Sequence, residues 1–164
     1  MTEFASLKAK VGRFNLTEKK LLVPEMGRNV SHLLGATMRS FGVDAQVMET
    51  YKGLKLGKQY TSGKECFPCQ VTLGDVLYHL EREKEKLGET FNAESYLYFM
   101  AESGGPCRFG MYNKLHRIVM DSMDGFSKTR IASITAEDSY SLGGLMAPEL
   151  RTHFRRSAYV GLVI

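Results

Sequence analysis

Apolar positions along the chain alternate between unbroken short runs and helical spacing. Leu21-Leu22-Val23 is a continuous apolar run stopped by Pro24 and Gly27, which predicts a buried strand entering a turn. From Asn29, read as an N-cap, Val30, Leu33, Leu34, Met38 and Phe41 recur at helical spacing until Gly42 supplies a stop. Asp44 to Met48 predicts a second strand. About twenty residues then pass before the next helical stripe, long for a strand-to-helix connection and of a kind that usually serves function. That loop holds Lys55, Gly57, Lys58, Tyr60, Thr61 and Ser62.

Val71, Leu73, Val76, Leu77 and Leu80 mark the following helix, and the sign-alternating run Glu81 to Lys86 predicts its solvated face. Tyr96 to Met100, aromatic and apolar throughout, suits the centre of a parallel sheet. Met111, Leu115, Ile118, Val119 and Met123 form a stripe closed by Gly125, and Arg130 to Ile134 predicts a fourth strand with the loop Glu137-Asp138-Ser139-Tyr140 behind it. Pro148 opens a last helix through Leu150, Phe154, Ala158 and Leu162, with a closing strand from Tyr159, interrupted by Gly161, as the alternative. Leu7, Val11, Phe14 and Leu16 are irregularly spaced, so residues 1–19 are an unassigned leader or extra segment before an α/β domain over 20–164. The alternation predicts a flavodoxin- or Rossmann-like open, mostly parallel sheet with helices on both faces. The final stripe reaches Ile164 without a glycine stop or polar tail, the expectation for a fragment of a longer protein.

At 164 residues the chain can bury a core without disulfides or metal, so any metal would serve chemistry. No apolar run approaches the roughly 20 residues that span a bilayer. The start Met1-Thr2-Glu3-Phe4-Ala5-Ser6 lacks the basic-then-apolar order of a secretory signal, which points to the cytoplasm and to reduced cysteines. The net charge of +4 is carried in short clusters, Lys19-Lys20 and Arg155-Arg156, without interleaved aromatic residues. Nucleic acid and membrane are therefore not the expected partners.

The three cysteines lie in two Gly- and Pro-containing segments, Gly63-Lys64-Glu65-Cys66-Phe67-Pro68-Cys69 and Gly104-Gly105-Pro106-Cys107-Arg108-Phe109-Gly110. Each precedes a helical stripe, and helix N-termini favour thiolates. Ligands of open α/β sheets bind outside the carboxyl ends of the strands, where strand order reverses. If the second and third strands flank the first, the loops carrying Cys66 and Cys107 meet above Pro24 to Arg28. Thiolates from separate loops are the usual holders of iron–sulfur clusters, although three cysteines leave a four-iron cluster one ligand short. Cys66-Phe67-Pro68-Cys69 also reads as a thioredoxin-like thiol pair, and a third reading is an interaction domain that keeps only the fold. Arg108 is a surface cation or a partner for Glu65. Arg28, Lys64 and Arg108 are candidate contacts for phosphates or an acidic partner. His32, His79, His116 and His153 fall within helical patterns and share no spacing with the cysteines, which gives them core or surface roles.

The run Tyr60-Thr61-Ser62-Gly63-Lys64-Glu65-Cys66-Phe67-Pro68, followed by Gly105-Pro106-Cys107-Arg108-Phe109-Gly110-Met111-Tyr112, resembles the 2-hydroxyacyl-CoA dehydratase and benzoyl-CoA reductase superfamily. It is most similar to that superfamily's CoA-substrate-specific enzyme activase-related proteins. The similarity covers about residues 20 to 164, including Val23-Pro24-Glu25-Met26-Gly27. The resemblance implies a domain of a larger protein that carries a 4Fe-4S cluster, served by an ATP-dependent activase and acting on an acyl-CoA. By motif match Cys66 and Cys107 carry over as ligands, with Cys69 the third candidate. Gly63, Lys64, Glu65, Pro68, Gly105, Pro106 and Arg108 carry over as loop-supporting or cofactor-contacting residues. The chain lacks a Walker-type phosphate loop and the further domains of that assembly, so catalysis by these residues alone is not expected.

Overall fold

The computed structural model describes residues 18–135 and 148–164. Four strands, β1 (Lys20–Val23), β2 (Asp44–Val47), β3 (Tyr96–Phe99) and β4 (Arg130–Ala132), form an all-parallel sheet in the order β2-β1-β3-β4. The ladder runs on past the strands, since Met100 N donates to Ala132 O and Glu102 N to Ile134 O. Five helices accompany it among the described residues: α1 (Arg28–Ser40), α2 (Leu54–Gln59), α3 (Phe67–Leu87), α4 (Tyr112–Ser122) and α5 (Pro148–Val163). The domain is thus an α/β fold with an open parallel sheet.

Strand alternation divides the core into two layers. Leu22, Tyr98 and Ile131 point to one face, where Leu73, Val76, Leu77 and Leu80 of α3 and Val119 and Met120 of α4 cover them. Leu21, Val23, Leu97, Phe99 and Ala132 point to the other, against Met38 of α1 and Leu150 and Phe154 of α5. Tyr96 to Met100 is buried throughout, as a central strand covered on both faces requires. No described helix is long and apolar enough to cross a membrane.

The chain leaves β1 for β2 on one side and returns across β1 to β3 on the other, so strand order reverses between β1 and β3. Their carboxyl ends open onto Pro24–Gly27 and the segment from Ala101 to Cys107. This is the arrangement in which two loops diverge and leave a crevice.

Some boundaries differ from the pattern-based expectations by a residue or two. Helix α1 starts one residue before Asn29, with Gly27 in the N-cap position, because Ser31 rather than Asn29 satisfies the preceding turn: its hydroxyl donates to Pro24 O and accepts from Met26 N. The long connection after β2 contains α2, too short for periodicity to reveal. The last helix runs to Val163 as the stripe through Leu162 predicts, and the alternative closing strand does not form; Gly161 rests against Val30 of α1, 2.5 Å from its Cα if given a Cβ. Strand β4 ends at Ala132, two residues short of Ile134. Of the unassigned segment 1–19, residues 1–17 lie outside the described residues, as does the loop Glu137-Asp138-Ser139-Tyr140.

Candidate functional site at the carboxyl edge of the sheet

Helix α2 determines where the first cysteine segment lies. Its backbone packs directly on α3: a Cβ on Gly57 would meet Gln70 O at 1.9 Å, and one on Gly53 would meet Gly74 O at 1.8 Å. Buried Asp75 accepts from Tyr51 N and Gly53 N, both at 3.3 Å, and ties the entrance of α2 to α3. From the end of α2, Thr61 Oγ1 donates to Gly57 O, Gly63 turns with φ +84°, and Ser62 Oγ donates to Glu65. Such a positive φ is a conformation that glycine adopts without steric cost. The segment delivers Cys66 to the N-cap of α3, with Pro68 in the first turn.

The second segment reaches the same place from β3. Gly105 turns with φ +82°, Cys107 precedes the 3-10 turn Arg108–Met111, and α4 follows. Arg108 Nη1 donates to Lys64 O at 2.6 Å, so the two cysteine segments are joined directly. Arg108 therefore serves a main-chain carbonyl, and the Glu65 carboxylate is held by its own backbone N–H and by Ser62 instead, which lower its pKa. Gly104, Gly105, Pro106, Cys107 and Arg108 are exposed, as are Gly63, Lys64 and Pro68.

The three thiols occupy different environments. Cys66 is half-buried, Cys107 exposed and Cys69 buried, and all are free. Burial, reinforced by the negative charge of Glu65, pushes the Cys69 thiol up to about 12. Its Sγ lies 3.7 Å from His116 Nε2, which is 3.3 Å from Cys69 O. A carbonyl can only accept, so Nε2 carries the proton and Nδ1, buried without a hydrogen-bond partner, is the bare nitrogen. Burial lowers the His116 pKa to about 4. Tyr112, from the first turn of α4, interacts with Cys66 and is within electrostatic reach of Cys69 and Cys107; burial first, then Cys66, raise its pKa and keep the phenol protonated. Phe109 packs edge-on against the Tyr112 ring at 5.1 Å.

Sequence spacing linked neither His116 nor Tyr112 to the cysteines. Both connections run through α4 docking on α3, a tertiary contact between helices far apart in the chain. His79 is half-buried on α3, and His32 and His153 are exposed. A cavity of about 500 Å³ opens beside the first turn of α3, between it and the loops after β1 and β2. A larger one, about 620 Å³, follows the free edge of β2 and the charged face of α3, remote from the thiols.

Comparison of the chain with protein-family models, with curated proteins and with solved structures finds no match in any of the three. As donors for an iron–sulfur cluster, Cys66 and Cys107 fit: both are thiols on adjoining, accessible turns rich in glycine. Cys69 fits poorly, since ligation would require it to turn out of the core and lose its place beside His116. Among the described residues no three His, Cys, Asp or Glu side chains converge to hold a metal ion, so two donors from this edge would need others from elsewhere.

Proposed function

We propose that this domain is the iron–sulfur electron-transfer or substrate domain of a 2-hydroxyacyl-CoA dehydratase-like protein, of the CoA-substrate-specific enzyme activase-related kind. The observation that carries the reading is the Arg108–Lys64 bond, which joins two cysteine-bearing turns at the switch point of a parallel sheet. Cys66 and Cys107 would hold the 4Fe-4S cluster, which when bound supplies a one-electron carrier. The chain's own residues do the rest: Arg108 fixes one turn to the other, and Tyr112 presents a protonated phenol beside Cys66. Buried Cys69 and His116 support the first turn of α3 from behind. Other domains of a larger protein complete the ligand set, an ATP-dependent activase delivers the electron, and an acyl-CoA receives it. A reducing cytoplasm suits three free thiols.

Anaerobic reconstitution followed by iron and sulfide analysis tests this reading. Cys66→Ser and Cys107→Ser are each expected to lose most of the bound iron, and Cys69→Ser much less. Equal retention in the three variants, or no iron in the wild type supplied with its neighbouring domains, overturns it. Residues 1–164 alone are expected neither to hydrolyse ATP nor to dehydrate a hydroxyacyl-CoA. The second reading, a thiol–disulfide pair, is favoured by the position of Cys66 at the N-cap, where its carbonyl accepts from Cys69 N at 2.9 Å. It predicts an iron-independent two-electron couple that Cys69→Ser abolishes.

A further inference from the structure

The cavity of about 500 Å³ beside the cysteine edge shares Tyr112 and Pro68 with the iron–sulfur reading, but that reading gives no role to the rest of its lining. Its volume lies within the range of small-molecule sites, which are mostly apolar with a few placed polar groups. Phe67, Val71, Phe109 and Tyr112 contribute the apolar walls, from the first turns of α3 and the approach to α4. Phe67 is half exposed, although it begins a helix whose other large apolar residues are mostly buried. It pairs with Tyr51 across the cavity rim, ring centroids 6.4 Å apart. Two apolar rings held at the mouth of a concave surface mark a place where an apolar body can leave water.

The charges of the lining narrow the ligand. Arg28 is the one cation among the described lining residues, and its guanidinium makes no ion pair or hydrogen bond with another described residue. It stands at the start of α1, whose first-turn N–H groups also favour negative charge. Glu25 lies on the same wall and carries the opposite sign. One guanidinium can hold a carboxylate through paired hydrogen bonds, whereas Glu25 disfavours the second charge of a phosphate dianion or the several charges of a polyphosphate.

We infer that this cavity binds a small apolar monocarboxylate, its body against Phe67, Val71, Phe109 and Tyr112 and its carboxylate at Arg28. The site is built without the cysteine thiols and does not depend on iron, so its failure and that of the proposed cluster are separable. Amide and methyl NMR titration of the metal-free protein is the test, with phenylacetate as probe. 2-Phenylethanol serves as its neutral analogue and inorganic phosphate as an anion without an apolar body. Phenylacetate is expected to give saturable shifts centred on Val71 and Phe109. 2-Phenylethanol is expected to bind about tenfold more weakly, the scale of one charge-assisted contact. Arg28→Ala should bring the affinity for phenylacetate down to that of the alcohol, and Phe67→Ala should weaken both ring-bearing probes. Both substituted positions are exposed, so the fold is expected to survive. Equal affinity for phenylacetate and 2-phenylethanol, stronger shifts with phosphate, or no saturable shift at these residues overturns the inference.

Discussion

Replacing Gly74 by alanine tests whether the glycine-to-glycine contact of α2 and α3 is what holds the long connection in place. A Cβ at that position would lie 2.1 Å from Gly53 O, 2.6 Å from Gly53 C and 2.9 Å from Gly57 N, all of them backbone atoms. Ordinary contact begins near 3.4 Å, so α2 must retreat by more than an ångström. Overpacking of this kind costs about 1–3 kcal/mol, and alanine in place of glycine returns about 1 kcal/mol through helix propensity. Retreat also pulls Tyr51 N and Gly53 N away from Asp75, which is 2% exposed; a buried acceptor that loses its main-chain donors adds about 1–3 kcal/mol. The net expectation is a loss of about 3 kcal/mol in urea unfolding, with the dependence on denaturant unchanged. Amide exchange locates the damage: Gly57 N and Tyr60 N, bonded to Gly53 O and Leu56 O, should exchange faster, and the core amides of β3 should not. A Gly74→Ala protein as stable as wild type, with α2 equally protected, would refute the argument.

The three thiols should react with a small alkylating reagent in the order Cys107, Cys66, Cys69, read by mass spectrometry of peptides over time. Cys69 modified as fast as Cys107 contradicts the burial that raises its pKa to about 12. Buried His116, flanked by Cys69, Tyr98 and Tyr112, has a folded-state pKa of about 4 against 6.5 when unfolded, so its neutral form stabilises the fold fully above pH 6.5 and that stability drains away towards pH 4. The loss is roughly 3 kcal/mol, and the slope of unfolding free energy over that interval should flatten in His116→Gln; an unchanged slope refutes the assignment.

The α/β class was legible because each strand is an apolar run and each long helix a stripe; both periods come from burial, which acts on every core residue. The strand order β2-β1-β3 entered only as a condition, that the second and third strands flank the first, and the sheet meets it. What escaped was whatever depends on close backbone approach. Gly53, Gly57 and Gly74 read as ordinary loop or helix glycines in sequence, and their meaning appears only when two helices are brought together. The same holds at the site. The cysteine segments were visible by composition, but the Arg108–Lys64 link involves a main-chain carbonyl that no side-chain pattern records. His116 lies at helical spacing like any core residue, and only its Nε2 contact with Cys69 distinguishes it.

The two halves of the site are supported unequally, and this bears on how a shared ligand would be held. Cys66 is continuous with a 21-residue helix that is buried from Cys69 to Leu77 and held against α2 through backbone contact, so its position follows the core. Cys107 follows exposed Gly104, Gly105 and Pro106, and the hydrogen bond from Arg108 to Lys64 O ties its turn to the other. An exposed hydrogen bond contributes little net stability, about 1 kcal/mol, because water competes for both partners. The Cys107 turn can therefore adjust while the Cys66 turn cannot. A ligand bound to both would be located by α3 and closed upon by the loop after β3, and the free energy of its binding would appear first as order in residues 104–108.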